Sequence, residues 1–409
     1  MAMLIPGVSV GETLLTSVDS DDPVTMPLFI GYCPGANKYM TLISVDSLAQ
    51  ALKLFTGQCT LTYSLQHFFD NGGRRCYVLQ PGAWPGDDPL VRLQALVAAL
   101  NTAELQEIIA ADNDTGLLLA PELSELNDVD LTQNGATVSN LWYQGWQALL
   151  TLCLFNKQRF ALLEMPESPE QAITLNGQTF SPELCQNGAA WWPRLQTHYD
   201  TANGASPLYL RLSPLPAVAA AIQRNAAQRG IWTAPANIQL AATLRPSQNF
   251  LDFKQLINDT GVYTNLIRSF AGKGVFLWGC RTLLNDETSP WRYIQTRLLV
   301  NSVECYLTRL ARAYLFETNN IQTWTKLKGH AWTWLRQQWL EGAFFGTVEE
   351  EAFTVAIGLN ETMSEDEIKA GIMVLTIQLA LLAPAEFIEI SLTLDTRDSS
   401  TSVDNRRFG

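Results

Sequence analysis

Charge is scarce in this chain: Asp, Glu, Lys and Arg make up only 16% of its 409 residues. What charge there is leans one way, with 27 Lys and Arg against 40 Asp and Glu and a formal net charge of -13. No basic stripe gathers locally, so a phosphate backbone would be repelled and nucleic acid is not an expected partner. Histidine is rarer still, with His67, His198 and His330 each read in a helix-like segment with no motif around it. The seven cysteines, at 33, 59, 76, 153, 185, 280 and 305, are odd in number and never closer than 17 residues. That spacing supports neither a disulfide framework nor a zinc knuckle, and reduced, packed thiols are the expectation. Long apolar runs are also missing. The most membrane-like stretch, Ile372 to Ala383, holds Thr376 and Gln378 and falls short of the roughly 18 apolar residues of a spanning helix. The start, Met1 to Glu12, has no cationic region and is broken by Pro6 and Gly7, unlike a secretion signal. A soluble chain without membrane insertion is expected.

What is present is a large core. Hydrophobic residues are 47% and aromatic residues 10% of the chain, a balance that excludes general disorder. The length exceeds one compact core, so two domains, or one core with an insertion, are expected. Short apolar runs alternate with segments of helical spacing between Leu28 and Leu212, the pattern of a layered α/β fold. Strands are expected at Leu28 to Tyr32, Cys76 to Gln80, Leu117 to Ala120, Phe160 to Met165 and Leu208 to Leu212. Helices are expected at Val45 to Phe55, Leu61 to Asp70, Pro89 to Asn101, Ser139 to Phe155 and Pro216 to Gln228.

A second region opens near Gly274. Ser289 can cap a helix beginning at Pro290, along which Ile294, Leu298, Val303, Leu307, Leu310 and Tyr314 recur at helical steps. A further helix carries Trp324, Leu327, Ala331, Trp334 and Leu335 on one side and ends near Gly342 or Gly346. Ser364 and Glu367 form a capping-box pattern. Glu386 to Leu394 alternates Ile388, Ile390, Leu392 and Leu394 with polar residues, as a one-sided strand does. At the other end, Val8 and Val10 alternate with Ser9 ahead of an acidic stretch, Ser17 to Pro27, which reads as a strand on a tether. Residues 395–409 are polar, contain Arg397, Arg406 and Arg407, and read as a flexible arm. Ordinary fraying of both termini is the competing reading.

Spellings of chemistry occur without their contexts. Gly7, Ser9 and Gly11 match G-x-S-x-G, but no core strand precedes them and a polar tether rather than a helix follows. Gly272, Lys273 and Gly274 lack the Ser or Thr of a phosphate loop and lead into a strand, so they read as a strand-entry turn. Asp112, Asp114 and Gly116 lack calcium-loop spacing and read as a solvated loop. The tryptophans at 324, 332, 334 and 339 could stack a sugar or base, but their helical spacing favours core or subunit contact. No catalytic, cofactor-binding or metal-binding residue emerges.

Several fragments, in order, resemble one family. PGVSVGE at Pro6 to Glu12, FFDNGGRRCYVLQ at Phe68 to Gln80, RGIWTAPAN at Arg229 to Asn237 and GVYTNLIRSFAGKGVFLWGCRTL at Gly261 to Leu283 are similar to segments of contractile tail sheath proteins. WRYI at Trp291 and PAEFI at Pro384 to Ile388 continue the series. Cys280 stands where the family usually has alanine, and residues 101–205 match only in general layout. The resemblance implies a sheath-like α/β core, with an N-terminal strand and linker at 1–27, core segments at 28–100, 101–205 and 206–394, and a C-terminal arm at 395–409. It implies a structural subunit, not an enzyme, that polymerises helically around an inner tube and contracts, with no cofactor. Its partners would be itself or sheath paralogues, the inner tube protein, and baseplate and terminal cap proteins. Assembly would take place in a bacterial cytoplasm, before the particle is released. The residues implied in inter-subunit contacts are Val8, Ser9, Val10, Phe387, Ile388, Ile390, Leu392, Leu394, Arg397, Arg406 and Arg407. Two rivals stand beside this reading: a non-contracting shell or baseplate protein, and an α/β enzyme with a small ligand at its strand ends.

Overall fold

The computed structural model describes residues 22–35, 37–155, 158–200, 209–248, 261–314, 317–383, 389–394 and 401–406. Its centre is a nine-stranded mixed sheet of order β2-β3-β1-β4-β5-β6-β11-β12-β9. The strands are β1 (Pro27–Ile30), β2 (Leu42–Val45), β3 (Cys76–Leu79), β4 (Leu117–Leu119), β5 (Phe160–Glu164), β6 (Gly188–Trp192), β9 (Ile238–Gln239), β11 (Thr264–Phe270) and β12 (Gly274–Trp278). The run from β3 through β1, β4, β5 and β6 to β11 is parallel, while β2, β12 and β9 join antiparallel at the two sides. Because β9, β11 and β12 complete this sheet, it runs across the sequence positions 100 and 205.

Parallel strands covered on both faces should read as unbroken apolar runs, and β1 and β4 do, as does β5 up to its last residue, Glu164. The two-residue period of a strand divides these runs between two cores. Phe29, Leu117, Leu119, Phe160, Leu162 and Trp191 lie in one, packed with Leu61, Leu65 and Phe68 of the helix Thr60–Asp70 and Val218 and Ile222 of Leu215–Arg229. The helix Ile294–Arg312 joins that layer through Ile294, Leu298 and Leu299. Leu28, Ile30, Leu118, Ala161, Leu163 and Trp192 lie in the other, against the helices Pro89–Leu100, Ala103–Ala111 and Leu131–Phe155. Trp142 and Trp146 fill its middle. Each fully buried side chain of this size stabilises by roughly 1.5–3 kcal/mol, so the two cores together fix the layered α/β fold.

Side-chain caps set some of the helix starts. Asp88 accepts from the Leu90 amide at 2.9 Å just before Pro89. The helix expected from Ser139 begins earlier, at Leu131, because Asp130 caps it by accepting from the Thr132 amide at 2.9 Å. Ser289 caps only the 3-10 turn Pro290–Arg292, accepting from the Trp291 amide at 3.3 Å. Extended Tyr293, at φ -112° and ψ 137°, separates that turn from the helix proper, which starts at Ile294. The Ser364 and Glu367 capping box forms as expected.

A second sheet of three strands, β10-β7-β8, comprises β7 (Leu195–Asp200), β8 (Tyr209–Leu212) and β10 (Thr243–Pro246). His198 therefore sits on a strand rather than in a helix, between β-favouring Thr197 and Tyr199. The C-terminal unit holds the helix Ile321–Leu340 and the antiparallel pair β13 (Phe353–Ala356) and β14 (Thr376–Leu379). β15 (Glu389–Leu394) pairs antiparallel with β16 (Thr401–Arg406). The segment 395–409, read as a flexible arm, thus contains a strand, because the backbone groups of Glu389–Leu394 find partners across a short connection.

Candidate functional site

In open α/β sheets a ligand binds outside the carboxyl ends of the parallel strands. Here those ends carry a dense polar network. After β4, Pro121 opens the 3-10 segment Pro121–Asp128, which brings Glu122, Ser124, Glu125, Asn127 and Asp128 back over the sheet edge. Glu122 is buried and accepts from the Tyr32 amide, beyond the end of β1, at 2.7 Å. Burial and the neighbouring Glu125 charge push its carboxyl well above the carboxylate range, against the pull of the Tyr32 amide.

Arg194 follows β6 and is also buried. It donates to both carboxylate oxygens of Asp128, at 2.8 and 3.0 Å, and to Glu167 Oε2 at 3.0 Å. Glu164, the last residue of β5, accepts from Asn127 Nδ2 at 3.2 Å, and Asn127 Oδ1 accepts from the Glu167 amide at 2.8 Å. Burial pushes the Glu164 carboxyl from 4.5 up to about 7, although the Ser213 hydroxyl and the Arg194 charge pull it down. Beside the network, the Arg92 guanidinium lies 4.7 Å from the Trp84 ring centre and pairs with Glu125. A cleft of about 370 Å³ runs along this edge, lined in part by Cys59, Tyr63, Trp84, Asp128, Arg194 and Ser213.

This is a tie between strand ends more than a reaction centre. A general acid or base must reach its substrate, whereas Glu122, Glu164 and Glu167 are buried and engaged with the Tyr32 amide, Asn127 and Arg194. His67 is buried with Nε2 3.2 Å from Thr243 Oγ1, and burial together with the His198 charge lowers it to about 4. Tyr314 Oη lies 2.7 Å from His330 Nδ1. Among the described residues no group of three or more His, Cys, Asp or Glu could hold a metal ion. Also among them, no helix is long and apolar enough to cross a membrane.

At the opposite strand ends, Asp112 corrects the expectation of a solvated loop. It is buried, and Arg159, fully buried ahead of β5, pairs with its Oδ2 at 2.8 Å. The same guanidinium donates to the carbonyls of Ile109, Asp112 and Thr115 at 2.8, 2.8 and 2.9 Å. Arg159 thereby closes the carboxyl end of the helix Ala103–Ala111, whose last carbonyls have no partner within the helix. Gly116 sits beside it because a Cβ there would lie 2.2 Å from the Val24 carbonyl oxygen.

Of the expected contact residues, Val8, Ser9, Val10, Phe387, Ile388, Arg397 and Arg407 lie outside the described residues, as does the G-x-S-x-G spelling at Gly7 to Gly11. Ile390, Leu392 and Leu394 fall at alternate positions of β15, opposite Asn405, Val403 and Thr401, and Arg406 stands opposite Glu389. The structure therefore brings four of the eleven onto one hairpin. The four tryptophans do not form one platform: Trp334 stacks on Tyr306 with ring centres 4.1 Å apart, Trp339 donates to the Gly346 carbonyl at 3.1 Å, and Trp324 donates to Asn319 at 2.7 Å. Sequence reasoning missed the exposed apolar residues of the C-terminal unit, Ile321 at 71%, Leu340 at 63% and Phe345 at 67%. The adjacent Phe344 and Phe345 ahead of Gly346 were the available signal, since one turn can bury only one of two such neighbours.

No protein-family profile and no curated protein matches the chain. Solved structures do. A chain in the contracted anti-feeding prophage baseplate is 61% identical, covers 97% of this chain and 100% of its own length, and superposes with a TM-score of 0.85. A chain of the contracted PVC sheath complex, an extracellular contractile injection system, is 26% identical over 97% of this chain and 99% of its own, with a TM-score of 0.70. A chain of the contracted helical sheath of the anti-feeding prophage is 25% identical over 96% and 100%, with a TM-score of 0.69. The layered core and these full-length likenesses define a component of contractile injection machinery. The chain belongs to the contractile tail sheath family.

Proposed function

We propose that this chain is a structural sheath subunit of a contractile injection system, set where the sleeve meets the baseplate. The observation that carries the reading is the 61% identity, over 97% of this chain, to a chain of a contracted baseplate. Chains from sheath structures share 25–26%, as does another chain from a baseplate structure, at 25%. Its partners are other sheath-family chains, the inner tube protein and the baseplate, with a terminal cap closing the sleeve. The work of contraction is stored in an extended lattice held by a kinetic barrier. Assembly takes place in a bacterial cytoplasm, and the chain then leaves as part of a phage-tail-like particle.

The termini join neighbouring subunits in this reading. Val8 to Val10, and the strand around Ile388 to Leu394, lend backbone to adjoining sheets, a joint that is strong in sum and tolerant of side chain. The β15–β16 pair supports it, since in a two-stranded sheet each strand keeps one edge unpaired among the described residues. Head-to-tail repetition of such a contact gives an open helix.

Imaging particles with a tag density on this chain is the deciding experiment. Density confined to the baseplate end of the sleeve is expected, with a pitch that changes on contraction. Density along the whole sleeve would make the chain a general sheath subunit, and a ring of fixed geometry would make it a non-contracting baseplate part. Deleting Glu386 to Gly409 is expected to leave a folded core that no longer joins a sleeve. Proline at both Val8 and Val10 removes ladder donors and is expected to stop assembly too.

A further inference from the structure

Two thiols meet at the carboxyl edge of the sheet. Cys33 lies in the loop after β1, and Cys59 is the N-cap of the helix Thr60–Asp70. The two loops are pressed together: a Cβ on Gly57 would stand 2.9 Å from Pro34 Cδ. Thr62 braces the turn, donating to the Gly57 and Cys59 carbonyls at 2.8 and 2.9 Å, while the Cys59 amide donates to Thr62 Oγ1 at 3.1 Å. From this position Cys59 Sγ reaches the carbonyl of Tyr32, the residue before Cys33, at 3.7 Å, and Cys33 Sγ reaches the Pro34 carbonyl at 3.6 Å, so both thiols lie at this loop contact. Of the seven cysteines, six are buried and Cys59 alone is not, and Cys59 lines the cleft described above.

We propose that Cys33 and Cys59 form a redox-sensitive dithiol that closes to a disulfide in oxidising surroundings, tying the loop after β1 to the amino end of the helix Thr60–Asp70. The oxidant is a small-molecule disulfide. It enters by the cleft and meets Cys59. Cys59 gives up its proton to the neighbouring Cys33 thiolate as its sulfur attacks one sulfur of the oxidant, expelling a thiolate. Cys33 then gives up its proton and attacks Cys59 Sγ, expelling the second thiolate. Two protein thiols are oxidised, one external disulfide is reduced to two thiols, and the two protons leave with them. The Cys59 thiol and the Gly57 amide both donate to Cys33 and hold it down at about 7, so the pair carries thiolate at neutral pH. Cys59 is in turn pushed up by its interaction with Cys33 and by burial, and Cys76, Cys153 and Cys185 are pushed up by burial.

The test uses the full-length chain and oxidised glutathione, followed by alkylation and non-reducing peptide mass spectrometry. A peptide pair joined through Cys33 and Cys59, two hydrogens lighter than the reduced pair and restored by reductant, is expected. Cys33→Ser should instead accumulate glutathione on Cys59, because the thiol that displaces it is gone, and Cys59→Ser should show no linkage. A lasting glutathione adduct on wild-type Cys59, a bond to another cysteine, or two unreacted thiols would each overturn the proposal. The wild-type experiment stands even if a variant folds poorly.

Discussion

The sheet body and the C-terminal unit spend their apolar residues differently. In the body, β1, β4, β5 and β6 are buried along their whole length, and helices cover both faces. In the C-terminal unit, the helix Ile321–Leu340 buries only Thr323, Leu327, Ala331 and Leu335, and β14 alternates exposed with half-buried residues. Its own cluster is small, built on Leu327, Ile357 and Met363. Both regions leave some large apolar side chains on the surface, Leu52 and Ile173 of the body among them, but the most exposed among the described residues, Ile321, Leu340 and Phe345, belong to the C-terminal unit. In a subunit that joins a lattice, such side chains are the ones a neighbour can bury.

If this division is right, the largest stability losses belong to the body. Arg159→Met removes the partner of a buried carboxylate and the donor to three carbonyls, and about 3–5 kcal/mol should be lost. Urea unfolding of the purified chain measures it, and adding Asp112→Asn should recover part of the loss because no unpaired charge remains. A loss below about 1 kcal/mol would mean that water reaches the Asp112 site. Gly116→Ala comes next, at about 3 kcal/mol, since the new methyl group meets backbone atoms of Val24 that have no rotamer with which to yield.

These two positions also show what was legible beforehand. The apolar runs Leu28 to Tyr32, Leu117 to Ala120 and Phe160 to Met165 announced their strands because both faces of the sheet are covered. β6, Gly-Ala-Ala-Trp-Trp, was not singled out: its alanines and glycine have weak strand preference, and only its place between β5 and β11 makes it a strand. Arg159 is a single cation ahead of an apolar strand, and its partner stands 47 residues earlier. Arg194 is joined to Asp128 across 66 residues and to Glu167 across 27. Spacing along the chain carries no trace of such pairs, which only the closed sheet brings together. The sheath resemblance, by contrast, was carried by local motifs and needed no contacts.

A pH effect of intermediate size probes the body's polar edge. The folded protein holds Glu164 protonated from its ordinary 4.5 up to about 7, whereas the unfolded chain releases that proton near 4.5. The folded state therefore binds more protons across this window, and the contribution to stability is full below about 4.5 and lost as pH rises toward 7. The loss amounts to roughly 3 kcal/mol. His67 works in the opposite sense: burial lowers it from 6.5 to about 4, so its contribution is present above 6.5 and lost as pH falls toward 4. Comparing wild type with Glu164→Gln isolates the first slope, and the advantage of the variant should grow from pH 4.5 to 7. A constant difference across that range would show that Glu164 is already ionised in the fold.

The smallest stability effect should come from the C-terminal surface, and it is the most informative about assembly. Leu340 and Phe345 are 63% and 67% exposed, so neither fills a cavity that a shorter side chain would leave empty. Leu340→Ser together with Phe345→Ser should change the unfolding free energy by no more than about 0.5 kcal/mol each. The adjacent packing is independent of them: Phe344 lies in the buried core, its ring centre 6.4 Å from that of Phe353, and the Phe345 amide, which serine keeps, donates to the Ala380 carbonyl at 2.9 Å. Sleeve formation is expected to respond far more strongly, because a neighbour that buries these side chains loses the hydrophobic contribution of both at every repeat of the lattice. Sedimentation of the double variant, co-expressed with its tube and baseplate partners, measures this against the unfolding curve of the same preparation. Unchanged unfolding with lost assembly supports the division between the body and the C-terminal unit. Normal assembly would remove these two side chains from the interface and leave the joints to the terminal strands, and a marked loss of stability would place them in the chain's own core after all.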